Sequence, residues 1–140
     1  MRNTVAYILN VKPVGDHLHF TVTGENTAEN VSGYFSEVLQ ICQQRRCSRV
    51  LIETNLQGPS LNAYTIFSII SEAIQHSPPG SRLFAYVDTN PIHDMKAVHF
   101  AETVAVNRGI TFKSFLNVPE AERWLADQQG GGSGARRRQA

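Results

Sequence analysis

At 140 residues and 15.5 kDa the chain has the length of one ordinary domain, and its 41% hydrophobic residues suffice for a single core. Thirteen Lys and Arg oppose twelve Asp and Glu, but Arg136, Arg137 and Arg138 fall in the Gly-rich segment 130–140, so residues 1–129 hold ten basic against twelve acidic side chains, a net charge of 10 − 12 = −2. This excludes a basic domain: three charges without an aromatic partner make only weak, salt-sensitive phosphate contact, and no specific nucleic-acid partner is expected.

The composition predicts one domain over 1–129 and a disordered, Gly-rich basic tail over 130–140. A spanning helix needs about 20 nearly uninterrupted apolar residues. The longest helix-like apolar stretch, Ala63 to Ile74, is broken by Thr65, Ser68, Ser71 and Glu72, so no membrane span is expected. The N-terminal Met1-Arg2-Asn3-Thr4 leads directly into an alternating segment without the apolar run of a signal peptide, which points to a cytoplasmic location. Cys42 and Cys47 fit neither a Cys-x-x-Cys redox pair nor a zinc framework and read as separate thiols.

In chain order, Val5, Tyr7, Leu9 and Val11 alternate with smaller or more polar neighbours; Lys12-Pro13-Val14-Gly15-Asp16 supplies turn chemistry; Leu18, Phe20 and Val22 alternate again. This predicts an antiparallel hairpin with one covered face, and it places His17, His19, Thr21 and Thr23 on the wetter side. From Ala28 to Cys42 the apolar spacing becomes that of an amphipathic helix ending near Arg45-Arg46. Val50-Leu51-Ile52 reads as a strand covered on both faces, followed by Gln57-Gly58-Pro59-Ser60 and a helix from Leu61 to His76 that Pro78-Pro79-Gly80 stops. Leu83 to Val87 is the next buried strand. Asp88-Thr89-Asn90-Pro91 then opens a helix, with Asn90 as its N-cap and Pro91 in its first turn. Gly109 fits the left-handed residue beyond that helix, and Arg108 complements its C-terminal dipole. Ile110 to Phe115 is the last strand, and Asn117-Val118-Pro119-Glu120 resembles a capping box opening a short helix that carries Trp124 and Leu125. The order β-β-α-β-α-β-α-β-α predicts an α/β layered domain, a mostly parallel five-stranded sheet with an antiparallel first strand at one edge.

Glu53 and Asp88 follow consecutive apolar strands, which would set both at the carboxyl edge of the sheet, where open α/β folds bind ligands. Two such carboxylates hold a divalent ion or divide acid and base roles in a small metal-dependent enzyme. That is the enzymatic alternative; no third acidic ligand accompanies them, and no catalytic residue, metal site or cofactor is assigned. Ser60 precedes a helix, where a hydroxyl caps free N–H groups and a phosphate would face the positive helix end. His17 and His19 share a strand face and read as solvent-facing, the competing use being a metal pinched with a third ligand. His93 and His99, six apart, lie roughly 120° apart around a helix and do not converge. Tyr64, Phe67 and the isoleucines around them make the second helix apolar over more than one stripe, which suits a central helix, a homodimer contact or an apolar ligand site.

The segment Phe100 to Leu125, with Asn107-Arg108-Gly109 ending a helix, Phe115 in a strand and Trp124-Leu125 in a short helix, resembles the C-terminal unit of STAS-like domains of the SpoIIAA-like, or STAS/SEC14, type. The resemblance spans residues 4–129 and is strongest in this last quarter. It implies a fold in which consecutive strands are neighbours, and a regulatory, non-enzymatic module that binds protein partners or small ligands. In anti-sigma-factor antagonists a Ser at the start of the second helix is phosphorylated within an Asp-Ser-Ser-Gly type motif; here Gly58-Pro59-Ser60-Leu61 stands at that place, so Ser60 matches by position. Similarity to lipid-carrier folds implies hydrophobic ligands. The expected function is therefore binding of a protein partner or an apolar small molecule, with Asn55, Ser60, Tyr64, Phe67, Asp88 and Asn90 as the candidate contacts and a phospho-switch at Ser60 as a further alternative.

Overall fold

The computed structural model describes residues 7–76 and 82–130. Its strands are β1 (Tyr7–Val14), β2 (His17–Glu25), β3 (Arg49–Gln57), β4 (Leu83–Asp88) and β5 (Thr111–Phe115); its helices are α1 (Ala28–Arg45), α2 (Ala63–His76), α3 (Met95–Asn107) and α4 (Val118–Gly130). The five strands form one sheet in the order β1-β2-β3-β4-β5. β1 pairs antiparallel with β2, and the remaining pairs are parallel. Element order and strand directions are those read from the sequence. Pro78, Pro79, Gly80, Val5 and residues 131–140 lie outside the described residues. α4 continues to Gly130, one residue into the segment assigned to the tail.

Strand alternation divides the interior in two. Phe20, Val22, Val50, Ile52, Leu56, Phe84 and Phe112 point to one face, where Tyr34, Val38, Leu39 and Cys42 of α1, Ala73 of α2 and Ala105 of α3 cover them. Leu51, Ala85 and Val87 point to the other, beneath Ala121 and Leu125 of α4, with Trp124 against Phe115 at 5.6 Å. β3 and β4 are thus covered on both sides, which is why their sequences run apolar without a polar stripe.

Local chemistry fixes the element ends. Gly15, at φ 58°, supplies the positive φ that the two-residue turn between Val14 and His17 requires. Thr27 caps α1 by accepting from the Asn30 amide at 3.1 Å, and α1 closes on Arg46, a non-glycine residue in the left-handed region at φ 53°. The Asn117 carboxamide accepts from the Glu120 amide at 3.0 Å, as the capping reading requires, and Gly109 takes φ 83° after α3. Cys42 and Cys47 are free thiols, the first pushed up to about 12 chiefly by burial.

Two boundaries differ from expectation. α3 starts at Met95, capped by the Asp94 carboxylate accepting from the Lys96 amide at 2.9 Å, and neither Asn90 nor Pro91 opens it. Asn90 instead closes a local turn, its Oδ1 accepting from the Ile92 amide at 3.1 Å while the Asp88 carboxylate accepts from the Asn90 amide at 3.0 Å. β3 runs to Gln57, five residues past Ile52, because Glu53 to Gln57 continue the parallel ladder with β2.

The second face of β2 is also drier than the sequence suggests. His17 and His19 side chains are each only 10% exposed, and Glu122 of α4 reaches to 3.8 Å from His17 Nε2. Alternation assigned their face correctly, but nothing local shows that the last helix folds back over it. Burial lowers the His17 pKa below its usual 6.5, outweighing the opposing Glu122 carboxylate, while His19 and Arg49 lower it further and Asp16 raises it. The unfolded ring therefore takes up protons before the folded one. The stability present above 6.5 is lost as pH falls through the folded value, so between about pH 7 and about pH 5 the wild type should lose more stability in urea titrations than His17→Gln does.

Candidate functional site

The loops after β2, β3 and β4 meet at the carboxyl edge of the sheet and are hydrogen-bonded to one another. The Asn26 amide donates to Gln57 O at 2.7 Å and its Nδ2 to Pro59 O at 2.8 Å. Asn90 Nδ2 donates to Leu56 O at 2.7 Å, and the Thr89 hydroxyl to Thr54 O at 2.9 Å. The Asp94 amide donates to Ser60 Oγ at 2.8 Å. These contacts give the edge a defined shape, because each buried polar group has a partner.

Within that edge lies an ion pair. His93 Nδ1 is 2.7 Å from Asp88 Oδ2, the two side chains only 5% and 8% exposed, and His93 Nε2 is 2.8 Å from Gly58 O. Both ring nitrogens face acceptors, so the imidazole bridges a carboxylate and a carbonyl. Gly58, at φ 101°, holds the backbone conformation that presents that carbonyl.

Behind the ion pair a cavity of about 100 Å³ opens between α1, α2, α3 and the sheet. Its body is apolar: Ile66, Ile69 and Ile70 of α2 face Ile52, Tyr86 and Phe112 of the sheet, and Ala97, Val98, Ala101 and Ala105 of α3 close one side. Asn26, Ser60, Asp88 and His93 add polar residues to the lining, and Tyr34 and Tyr86 line it as well. Tyr86 Oη lies 2.9 Å from Thr54 Oγ1 and is hydrogen-bonded by Tyr34 as well. Both phenols stay protonated: burial, then the Asp88 charge, push Tyr86 up to about 12, and burial, then Tyr86, push Tyr34 well above 10.

The sequence-predicted residues separate in this geometry. Ser60 and Asp88 line the cavity. Asn90 is buried and spent on Leu56 and Ile92, and Asn55 is exposed, accepting from Gln57 Nε2 at 3.4 Å. Tyr64 and Phe67 are 79% and 41% exposed on the outer side of α2, and the Arg108 guanidinium lies 4.6 Å over the Phe67 ring. Ser60 is not the helix cap: Asn62 Oδ1 accepts from the Thr65 amide at 2.8 Å, while the Ser60 oxygen serves the α3 end.

The paired-carboxylate site is overturned. In the β3/β4 register Glu53 stands opposite Val87 and Thr54 opposite Asp88, so the two carboxylates project from opposite faces. Glu53 instead holds His19 Nε2 at 2.8 Å on the α4 side. Among the described residues no three His, Cys, Asp or Glu side chains gather as a metal site. The residue that sequence reasoning missed is His93. Its signal was the Asp88-x-Asn90-Pro91 turn, which keeps residues 88–93 out of the helix and folds the ring back on Asp88.

The chain is similar to the crystal structure of an anti-sigma factor antagonist from Mycobacterium paratuberculosis, with a TM-score of 0.58 and 12% identity over 86% of this chain and 95% of that one. A looser match, with a TM-score of 0.46 and 14% identity, is the NMR structure of the protein TM1081, covering 90% of this chain and 94% of that one. No protein-family model matches the sequence, and no curated protein matches it either. The first likeness shows the fold alone: the five-stranded α/β sheet with its antiparallel first strand is the fold of that anti-sigma factor antagonist, the STAS-like architecture that the sequence resembles.

Removing one partner of a buried, hydrogen-bonded ion pair costs about 3 kcal/mol. Asp88→Asn should lower the unfolding free energy in urea by about that amount, and Asp88→Asn with His93→Gln by less than the sum of the single changes. Glu53→Gln, at a carboxylate 30% exposed, should cost under about 1 kcal/mol.

Proposed function

We propose that this domain is a regulatory binding module that acts without covalent catalysis and takes a small apolar molecule into the cavity beneath α2. The carrying observation is the cavity itself, apolar in its body and polar at the carboxyl edge, where doubly wound sheets receive ligands. Its size follows from the side chains around it. Three alanines of α3 leave space that isoleucines of α2 do not fill, although protein interiors ordinarily pack without such gaps. The overturned carboxylate pair removes the one enzymatic reading that the sequence offered. A protein partner would read the bound state through the rim loops and the outer face of α2, where Tyr64 and Phe67 stand in solvent. Likeness to an anti-sigma factor antagonist supports that partner role.

A ligand that binds only the folded state raises its melting temperature by mass action. Toluene at millimolar concentration should raise the melting temperature of the wild type and leave Ala101→Leu, whose larger side chain fills the cavity, unmoved. An unshifted wild type rejects the proposal.

Phosphorylation of Ser60 is the second reading. It is supported by the place of Ser60 in the β3–α2 loop, corresponding to the family phosphoacceptor, and by its hydroxyl bond to the Asp94 amide, which a phosphoryl group would disturb. Phosphopeptide mapping after incubation with the kinase of the native host should place the group on Ser60 and leave Ser60→Ala unmodified. Phosphate elsewhere, or none, leaves Ser60 as a tie between two loops.

A further inference from the structure

The two edges of the sheet are finished differently. At the β5 edge the Glu102 carboxylate accepts from the Ser114 amide at 2.9 Å and from its hydroxyl at 2.7 Å, so a side chain of α3 already occupies a main-chain donor of that five-residue strand. β1 is longer, and among the described residues β2 is its only strand partner. A long edge without a guard invites a further strand.

The hairpin fixes which groups that edge presents. Val14 pairs with His17 across the two-residue turn, so Val14, Lys12, Asn10 and Ile8 exchange main-chain bonds with β2, and Tyr7, Leu9 and Val11 turn their N–H and C=O groups outward. Pro13 falls in the same outward phase, where its missing N–H costs the β1/β2 ladder nothing. The usual guards of an edge, here Pro13 and the exposed Lys12, both stand at the turn end. Tyr7 to Val11 contain neither a proline nor a charge. On one face of this stretch Ile8 is 62% exposed, and on the other Tyr7, Leu9 and Val11 pack only partly against the core beneath α1.

We infer that β1 is the contact of a homodimer, in which two copies join their sheets edge to edge, antiparallel, about a two-fold axis at Leu9. The stretch is complementary to its own copy. In that register Leu9 faces Leu9, Tyr7 faces Val11 and Ile8 faces Asn10, so every outward N–H and C=O from Tyr7 to Val11 meets its counterpart, and Tyr7, Leu9 and Val11 meet apolar partners. Centring one residue later, on Asn10, sets Tyr7 against Pro13, which has no donor, and Ile8 against Lys12. Charge agrees with the Leu9 centre: Lys12 lies about 20 Å along the strands from its copy, and the Tyr7 rings, each bound to a Glu37 carboxylate at 2.8 Å, are about 14 Å apart. Both spacings exceed a Debye length of about 8 Å. So short a pairing is smaller than a standard interface, which makes the dimer reversible, with a Kd of about 100 μM.

Sedimentation of the full chain, with amide hydrogen exchange read by NMR at about 20 μM and about 1 mM, tests this. The Tyr7, Leu9 and Val11 amides should exchange about fourfold more slowly at the higher concentration, the fall in monomer fraction that such a Kd gives. The Ile8, Asn10 and Lys12 amides, bonded to β2, should be equally protected at both. Val11→Pro removes an outward N–H without touching the β1/β2 ladder, so it should sediment as a monomer at about 1 mM and keep the protection of Lys12. A wild type that stays monomeric at about 1 mM overturns the inference. So does a dimer whose Tyr7, Leu9 and Val11 amides exchange independently of concentration, since its contact lies elsewhere, or a Val11→Pro dimer of undiminished affinity. Protection of those three amides in the monomer overturns it too, because the chain's own residues then cover the edge.

Discussion

The parallel register of β3 against β4 governs the rest of the molecule. Glu53 pairs with Val87 and Thr54 with Asp88. Because side chains alternate across a strand, that pairing sends Ile52, Thr54, Tyr86 and Asp88 toward α1, α2 and α3, and it sends Leu51, Glu53 and Val87 toward α4. A slip of one residue would invert a whole strand and expose its apolar set, so the register is held by both cores at once. The cavity, the Thr54–Tyr86 contact and the His93–Asp88 pair lie on one side by this constraint, and the His19–Glu53 pair lies on the other.

On the cavity side, stability and binding draw on the same residues in different ways. Asn26, Asn90 and Thr89 each spend a side-chain hydrogen bond in joining loops, which fixes the rim before any ligand arrives. Asp88 is positioned by that scaffold yet keeps acceptor capacity in reserve. His93 bonds the carboxylate and ties the β4–α3 loop to Gly58, so the buried carboxyl group has partners of its own without a ligand. The arrangement explains how a mostly apolar cavity tolerates a carboxylate at its edge.

Element order and type were legible in the sequence because period-two and period-3.6 patterns are local, and because Asn117, Gly109 and the Gly15 turn act on their own neighbours. Capping at the start of α3 was not. Asp88, Asn90 and Asp94 all have side chains suited to a cap, and the choice among them depends on Leu56 and Gly58, which lie more than thirty residues earlier in the chain. The same competition moved the cap of α2 from Ser60 to Asn62, since the Ser60 oxygen is engaged by the Asp94 amide.

By itself, the sequence determined the βα order, the antiparallel first strand, the acidic balance of residues 1–129 and a resemblance that the fold bears out. Each of these depends on neighbours within a few residues or on simple counts. Only the tertiary structure decided that Glu53 and Asp88 part company, that His93 joins Asp88, that Glu122 of α4 reaches His17, and that α2 stands off the sheet around a cavity. Those outcomes follow from strand length and register, and from which distant surface packs over which face. Hydrophobic burial and hydrogen bonding settle such matters across the whole chain at once.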